Sequence, residues 1–130
     1  MKLLLDTCTI LWAVAAPAEL SAAAREALTS SDAEVFVCPM SAAEIACAEE
    51  RGRIKLSCHW KLWFRDYVKR NAWEVIDIDL PIVEEAYSLP PPFHKDPVDR
   101  LLVATARLRG MIIVTADENI LSYPHVESVW

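Results

Sequence analysis

A chain of 130 residues can build one hydrophobic core and is too short for two ordinary domains, so residues 1–130 are expected to form a single domain. Apolar residues make up 54% of it and the mean hydropathy is +0.20, which points to apolar surface buried in a homodimer or against a partner peptide. The net charge of −6 excludes a simple nucleic-acid-binding module unless metal ions or a local basic patch reverse the field.

Lys2 to Leu5 reads as a short, fully buried strand, and Thr7 to about Ala16 as a helix ended by Pro17. The first twenty residues also carry the lysine, apolar stretch and small-residue segment of a secretory signal. Asp6 opposes that reading, because a carboxylate at the centre of an apolar run weakens membrane insertion by roughly 2.5–3.5 kcal/mol. Ser21 to Leu28 is a second helix, favoured by Ala22, Ala23 and Ala24, and the β-branched run 33–39 is a buried strand. Ser41 is expected to open a helix that runs to about Arg51 and stops at Gly52. Residues 58–72 read as an amphipathic helix, 73–79 as an alternating strand, 81–88 as a helix and 90–96 as a stiff proline-rich loop. Pro97 to Arg109 is the best-marked helix, closed by Gly110; 111–115 is another buried strand and the last six residues add a final one. Strands alternating with helices imply a parallel sheet covered on both faces. No stretch is long enough to span a membrane. Cys8, Cys38, Cys47 and Cys58 form neither a CxxC pair nor a zinc-ligand spacing, which fits a reducing, cytoplasmic setting.

Four acids fall at strand ends or helix starts: Asp6 after the first strand, Glu44 after the second, Asp99 at the start of the 97–109 helix, and Asp117 after 111–115. In an open parallel sheet ligands bind outside the carboxyl ends of the strands, so these four would meet at one rim. Each has a plain alternative. Ser41-x-x-Glu44 matches a capping box, Asp96-Pro97-Val98-Asp99 matches an N-cap with Pro at N1, and Asp117 can cap a short helix. Capping explains Asp6 least well, since its strand could end in Asn, Ser or Gly at no electrostatic cost. Four converging carboxylates repel one another unless a hard cation with oxygen ligands, Mg²⁺ or Mn²⁺, joins them. One or two such ions suit hydrolysis of a phosphodiester. Arg51, Arg53, Lys55, Arg107 and Arg109 are candidates to hold the flanking phosphates, with ordinary solvated helix charge as the alternative.

"LLLDTCTILW", the isolated Glu44, "LPPPFHKDPVDRLLVATA" and "IIVTADENI" together resemble, in order and across nearly the whole chain, a PIN domain of the VapC toxin type. The resemblance implies a three-layer α/β/α sandwich with a central, mainly parallel sheet. It also implies an Mg²⁺- or Mn²⁺-dependent endoribonuclease acting on an RNA substrate and a cognate antitoxin protein. The family's acidic quartet falls on Asp6, Glu44, Asp99 and Asp117, and its threonine on Thr115. The chain departs from related sequences at Cys8, where His is common, and at Val98, where Phe is common, which bears on local packing and substrate fit. Arg100 either orients a carboxylate or contacts the RNA backbone, His94 is a candidate substrate contact, and Asp96 reads as a cap. Trp60, Trp63 and Phe64 read as core or interface rather than as base-stacking residues.

Two other function classes compete. A haloacid-dehalogenase-type phosphatase also begins with a strand ending in Asp, but it needs a second Asp where Cys8 stands. A catalytically silent PIN-like subunit that only binds partners would account for the apolar composition but not for a complete acidic quartet. A phosphate-binding glycine loop is excluded, because Gly52 and Gly110 are the only glycines.

Overall fold

The computed structural model describes all 130 residues. Five strands form one sheet in the order β3-β2-β1-β4-β5, and every pairing is parallel. They are β1 (Lys2–Leu5), β2 (Glu34–Val37), β3 (Glu74–Val75), β4 (Ile112–Val114) and β5 (Ser128–Val129). The chain builds outward from β1 to β3, then returns to place β4 on the other side of β1, so the topological switch lies beside β1.

Strand alternation sorts the core into two layers. Leu3 and Leu5 point to one face, where they join Val37, Val114, Ile10, Ala24, Ile45, Trp63 and Phe64. These contacts bring in α1 (Thr7–Ala15), α2 (Ala22–Thr29), α3 (Pro39–Glu50) and α4 (Trp60–Arg70). Leu4 points to the other face and packs with Ile113, Leu102, Val103, Ala106 and Ile120. That side is covered by α6 (Pro97–Arg109) and α7 (Glu118–Leu121), while α5 (Leu80–Ala86) packs on α6 through Ile82, Ala86 and Ala104. The result is a three-layer α/β/α sandwich. Leu3, Leu4 and Leu5 are fully buried, each stabilising the fold by about 1.5–3 kcal/mol relative to exposure. Trp63 and Phe64 are core residues and Trp60 is half-buried against them.

Two expectations about the elements need correction. The helix expected to start at Ser41 begins at Pro39, with Cys38 as N-cap and the proline supplying the preset φ of the first turn. Ser41 is therefore inside the helix, its N–H bonded to the Cys38 carbonyl, and Ser41-x-x-Glu44 is not a capping box. The strand expected over 73–79 is only Glu74–Val75; beyond it the chain leaves the sheet edge so that Ile76 and Ile78 dock on the α6-side core and Asp79 caps α5. No helix is long and apolar enough to cross a membrane.

Candidate active site at the switch point

The register aligns Leu5 with both Val37 and Val114, so residues just beyond β1, β2 and β4 emerge at one rim. Asp6 is the first residue past β1. It caps α1, Oδ1 accepting from the Thr9 amide at 2.8 Å, and Oδ2 accepts from the Thr115 hydroxyl just past β4. Two of its four lone-pair positions are thus used and two remain. Asp6 is only 9% exposed, so its carboxylate is held at the rim with little freedom. Thr115 is fully buried, and its Oγ1 also accepts from the Asp117 amide at 3.0 Å, which ties Asp6 to the turn carrying Asp117. Asp117 caps α7 through Asn119 N–H at 2.8 Å.

Glu44 lies in the second turn of α3, too far along to cap it. Its Oε1 accepts from the hydroxyl of Thr7, which also stands 3.1 Å from the Ser41 hydroxyl. A role for Thr7 has no local signal, because Glu44 is 37 residues away; only the parallel pairing of β1 with β2 brings them together. Thr9 is the other residue without such a signal: its buried hydroxyl donates to the Val114 carbonyl at 2.9 Å and locks α1 onto β4.

Asp99 enters from the opposite layer in the first turn of α6, whose N-cap is Asp96, accepting from the Val98 and Asp99 amides at 2.9 and 3.1 Å. Burial, then the charges of Asp96, Asp117, Glu44 and Asp6, push the Asp99 carboxyl from 3.8 up to about 7. Asp99 therefore sits in the field of the other three acids of the proposed quartet. Burial also raises Glu44; the Thr7 hydroxyl opposes that, and Asp96 and Asp6 add to it. Cys8, exposed at the same rim, has its thiol raised by partial desolvation and then by Asp6, Glu44, Asp117 and Asp99, so it shares the field of the site. His94 Nε2 is 2.9 Å from Asp99 Oδ2 but is not aligned for a hydrogen bond, and that nitrogen is buried without a partner.

Arg100 reaches neither a carboxylate nor the open rim. Its Nε, Nη1 and Nη2 donate to the carbonyls of His94, Ala86 and Phe93 at 3.0, 2.9 and 3.1 Å, so it straps the 90–96 loop to α6. Arg107 pairs with Glu85 and Arg109 with Asp79. Arg107 lies about 12 Å along α6 from Asp99 at 1.5 Å per residue, far from the acids. Arg51 and Arg53 instead line a groove of about 320 Å³ that also contains Glu44 and Val98.

No three His, Cys, Asp or Glu side chains stand close enough to enclose an ion as they are arranged. The donor chemistry nevertheless fits a hard divalent cation: the candidates are all carboxylates, and burial together with the neighbouring carboxylates raises the Asp99 carboxyl to about 7, a cost that a bound cation would offset.

A family profile described as PIN domain matches residues 3–126. Ribonuclease VapC22 from Mycobacterium tuberculosis is 33% identical over 126 residues, covering 97% of this chain and 95% of the relative. A crystal structure of VapBC2 from Rickettsia felis bound to a DNA fragment from its promoter superposes with a TM-score of 0.73 at 14% identity, covering 99% of this chain and 98% of the other. A toxin–antitoxin complex from Klebsiella pneumoniae superposes with a TM-score of 0.69 at 17% identity, covering 98% and 95%. The two structures share the fold.

Proposed function

This chain belongs to the PIN domain family, and on that premise we propose that it is a VapC-type endoribonuclease toxin using Mg²⁺ or Mn²⁺. The observation that carries the reading is that Asp99, half-buried at the switch point, feels the charges of Asp6, Glu44 and Asp117 together. In this reading Asp6, Asp99 and Asp117 would hold the cation with Glu44 beside them, and residues 1–130 act as one domain. A bound divalent cation supplies positive charge that eases attack of water on the phosphodiester and offsets charge on the leaving oxygen.

The chain's own groups do the positioning. Asp6 is oriented by the Thr9 amide and the Thr115 hydroxyl, and Thr115 carries that order on to Asp117. Glu44, raised by burial and steadied by Thr7, orients the attacking water and takes its proton as the new phosphorus–oxygen bond forms and the bond to the leaving oxygen breaks. Arg100 is a positioning residue that fixes the loop bearing His94 and Asp96.

Support for a cognate antitoxin comes from the neighbouring structures, which are toxin–antitoxin complexes, and from exposed Leu62, Val75, Leu80 and Tyr87, which offer apolar surface to that partner or to a homodimer mate. A cytoplasmic location is part of the proposal, and the four free cysteines fit it. The test is to sequence cellular RNA ends after expression of wild type and of Asp99→Asn. New ends at defined sites with wild type only are expected; identical end profiles would overturn the assignment.

A further inference from the structure

The chain's charge is strongly segregated. Although the net charge is −6, seven of its thirteen Lys and Arg residues fall within residues 51–70, alongside a single acid, Asp66. Of these seven only Arg70 has an ion pair, with Asp66; Arg51 and Arg53 are exposed and pair with no acid. Arg107 and Arg109, by contrast, are neutralised by Glu85 and Asp79.

Two of the unpaired cations, Arg51 and Arg53, share a groove with Glu44, whereas Lys61, Arg65 and Lys69 line a separate one. Glu44, Cys47, Ala48 and Arg51 recur at helical spacing along one face of α3, and that face forms the floor of the groove shared with Arg53 and Val98. Val98 immediately precedes Asp99, so one end of the groove opens beneath the acidic rim. From Glu44 to Arg51 the helix rises about 10 Å at 1.5 Å per residue, which separates the acid end from the cation end by more than one phosphate spacing. A polyanion whose scissile phosphate lay at the acids would find two unpaired guanidiniums along this groove.

Building on the nuclease reading above, we propose that the α3 groove is the track for the single-stranded RNA backbone flanking the scissile bond, with Arg51 and Arg53 holding adjacent phosphates and Cys47 lying under the strand. Two phosphates held by unpaired guanidiniums give a defined electrostatic signature. For single strands each contact adds roughly 0.7 to the slope of log affinity against log salt, so losing both lowers that slope by about 1.4.

The experiment measures binding of a short single-stranded RNA of mixed sequence to the full chain in an Asp99→Asn background with Mg²⁺, across a salt series. Arg51→Ala/Arg53→Ala should weaken binding and lower the slope by about 1.4. Lys61→Ala/Lys69→Ala, on the separate groove between α3 and α4, should leave the slope unchanged. In parallel, RNA should slow iodoacetamide alkylation of Cys47, read by peptide mass spectrometry, without slowing that of Cys58. An unchanged slope in the arginine variant, a loss confined to the lysine variant, or unprotected Cys47 would overturn the track while leaving the nuclease reading standing. Absence of RNA binding by the Asp99→Asn parent and by wild type alike would overturn both.

Discussion

Replacing Asp99 with Asn should stabilise the metal-free protein at neutral pH while removing a proposed cation ligand. Asp99 ionises at 3.8 in a free chain and at about 7 in the fold. Between those pH values the folded protein holds a proton that the unfolded chain has released, so stability from this group is full below about pH 4, declines as pH rises, and is lost above about pH 7. The full shift corresponds to at most about 4 kcal/mol at 1.36 kcal/mol per pH unit. With the side chain 19% exposed, solvent trims that ceiling, and an asparagine that stays neutral recovers roughly 2–3 kcal/mol at pH 8. Urea denaturation in EDTA at pH 4.5, 6 and 8 measures it, because titrations common to wild type and variant cancel in the difference. The gap between the two should be small at pH 4.5 and grow with pH, with the melting temperature of the variant higher by roughly 10 °C at pH 8. An equal or lower stability of Asp99→Asn at pH 8 would refute the claim that burial and the neighbouring carboxylates make an ionised Asp99 costly to the fold.

The proposed cation site predicts that Mn²⁺ raises the melting temperature of wild type, by the equivalent of about 2.7 kcal/mol at a hundred times its dissociation constant, and raises that of Asp99→Asn far less; differential scanning calorimetry with and without metal decides. Thr115→Val removes the hydroxyl that donates to Asp6 and accepts from the Asp117 amide, so stability should fall by about 1–3 kcal/mol and Mn²⁺ affinity measured by calorimetry should fall with it. Arg100→Ala frees three carbonyls of the loop and α5, which should speed amide exchange or proteolysis within residues 86–96 while leaving β1 and β4 protected.

How much of this was legible beforehand depends on how local each feature is. β1 and β4 announce themselves as uninterrupted apolar runs, and α6 carries its cap, its N1 proline and its closing Gly110 in sequence, with φ of +64° at that glycine. Asp6 stood out because an acid directly after three buried leucines needs an exit from the core. The contacts that organise the rim are not local. Thr7 meets Glu44, and Thr115 meets Asp6, only once the order β2-β1-β4 and its register are known. Ser41-x-x-Glu44 imitates a capping box because its spacing is right, yet Pro39 starts the helix two residues earlier and leaves Glu44 free of any capping duty. Grouping Arg107 and Arg109 with Arg51 and Arg53 fails for a related reason. Composition records charge, whereas the direction of α6 carries its last turn away from the rim to Glu85 and Asp79.

Single-turnover cleavage of a defined RNA by the purified chain, freed of any partner, tests the central claim most directly when wild type, Asp6→Asn and Asp99→Asn are compared in Mn²⁺ and in EDTA. Cleavage by wild type in Mn²⁺ alone, with both variants folded and inactive, is the predicted result. Cleavage that survives EDTA, or a folded Asp6→Asn as active as wild type, would contradict it.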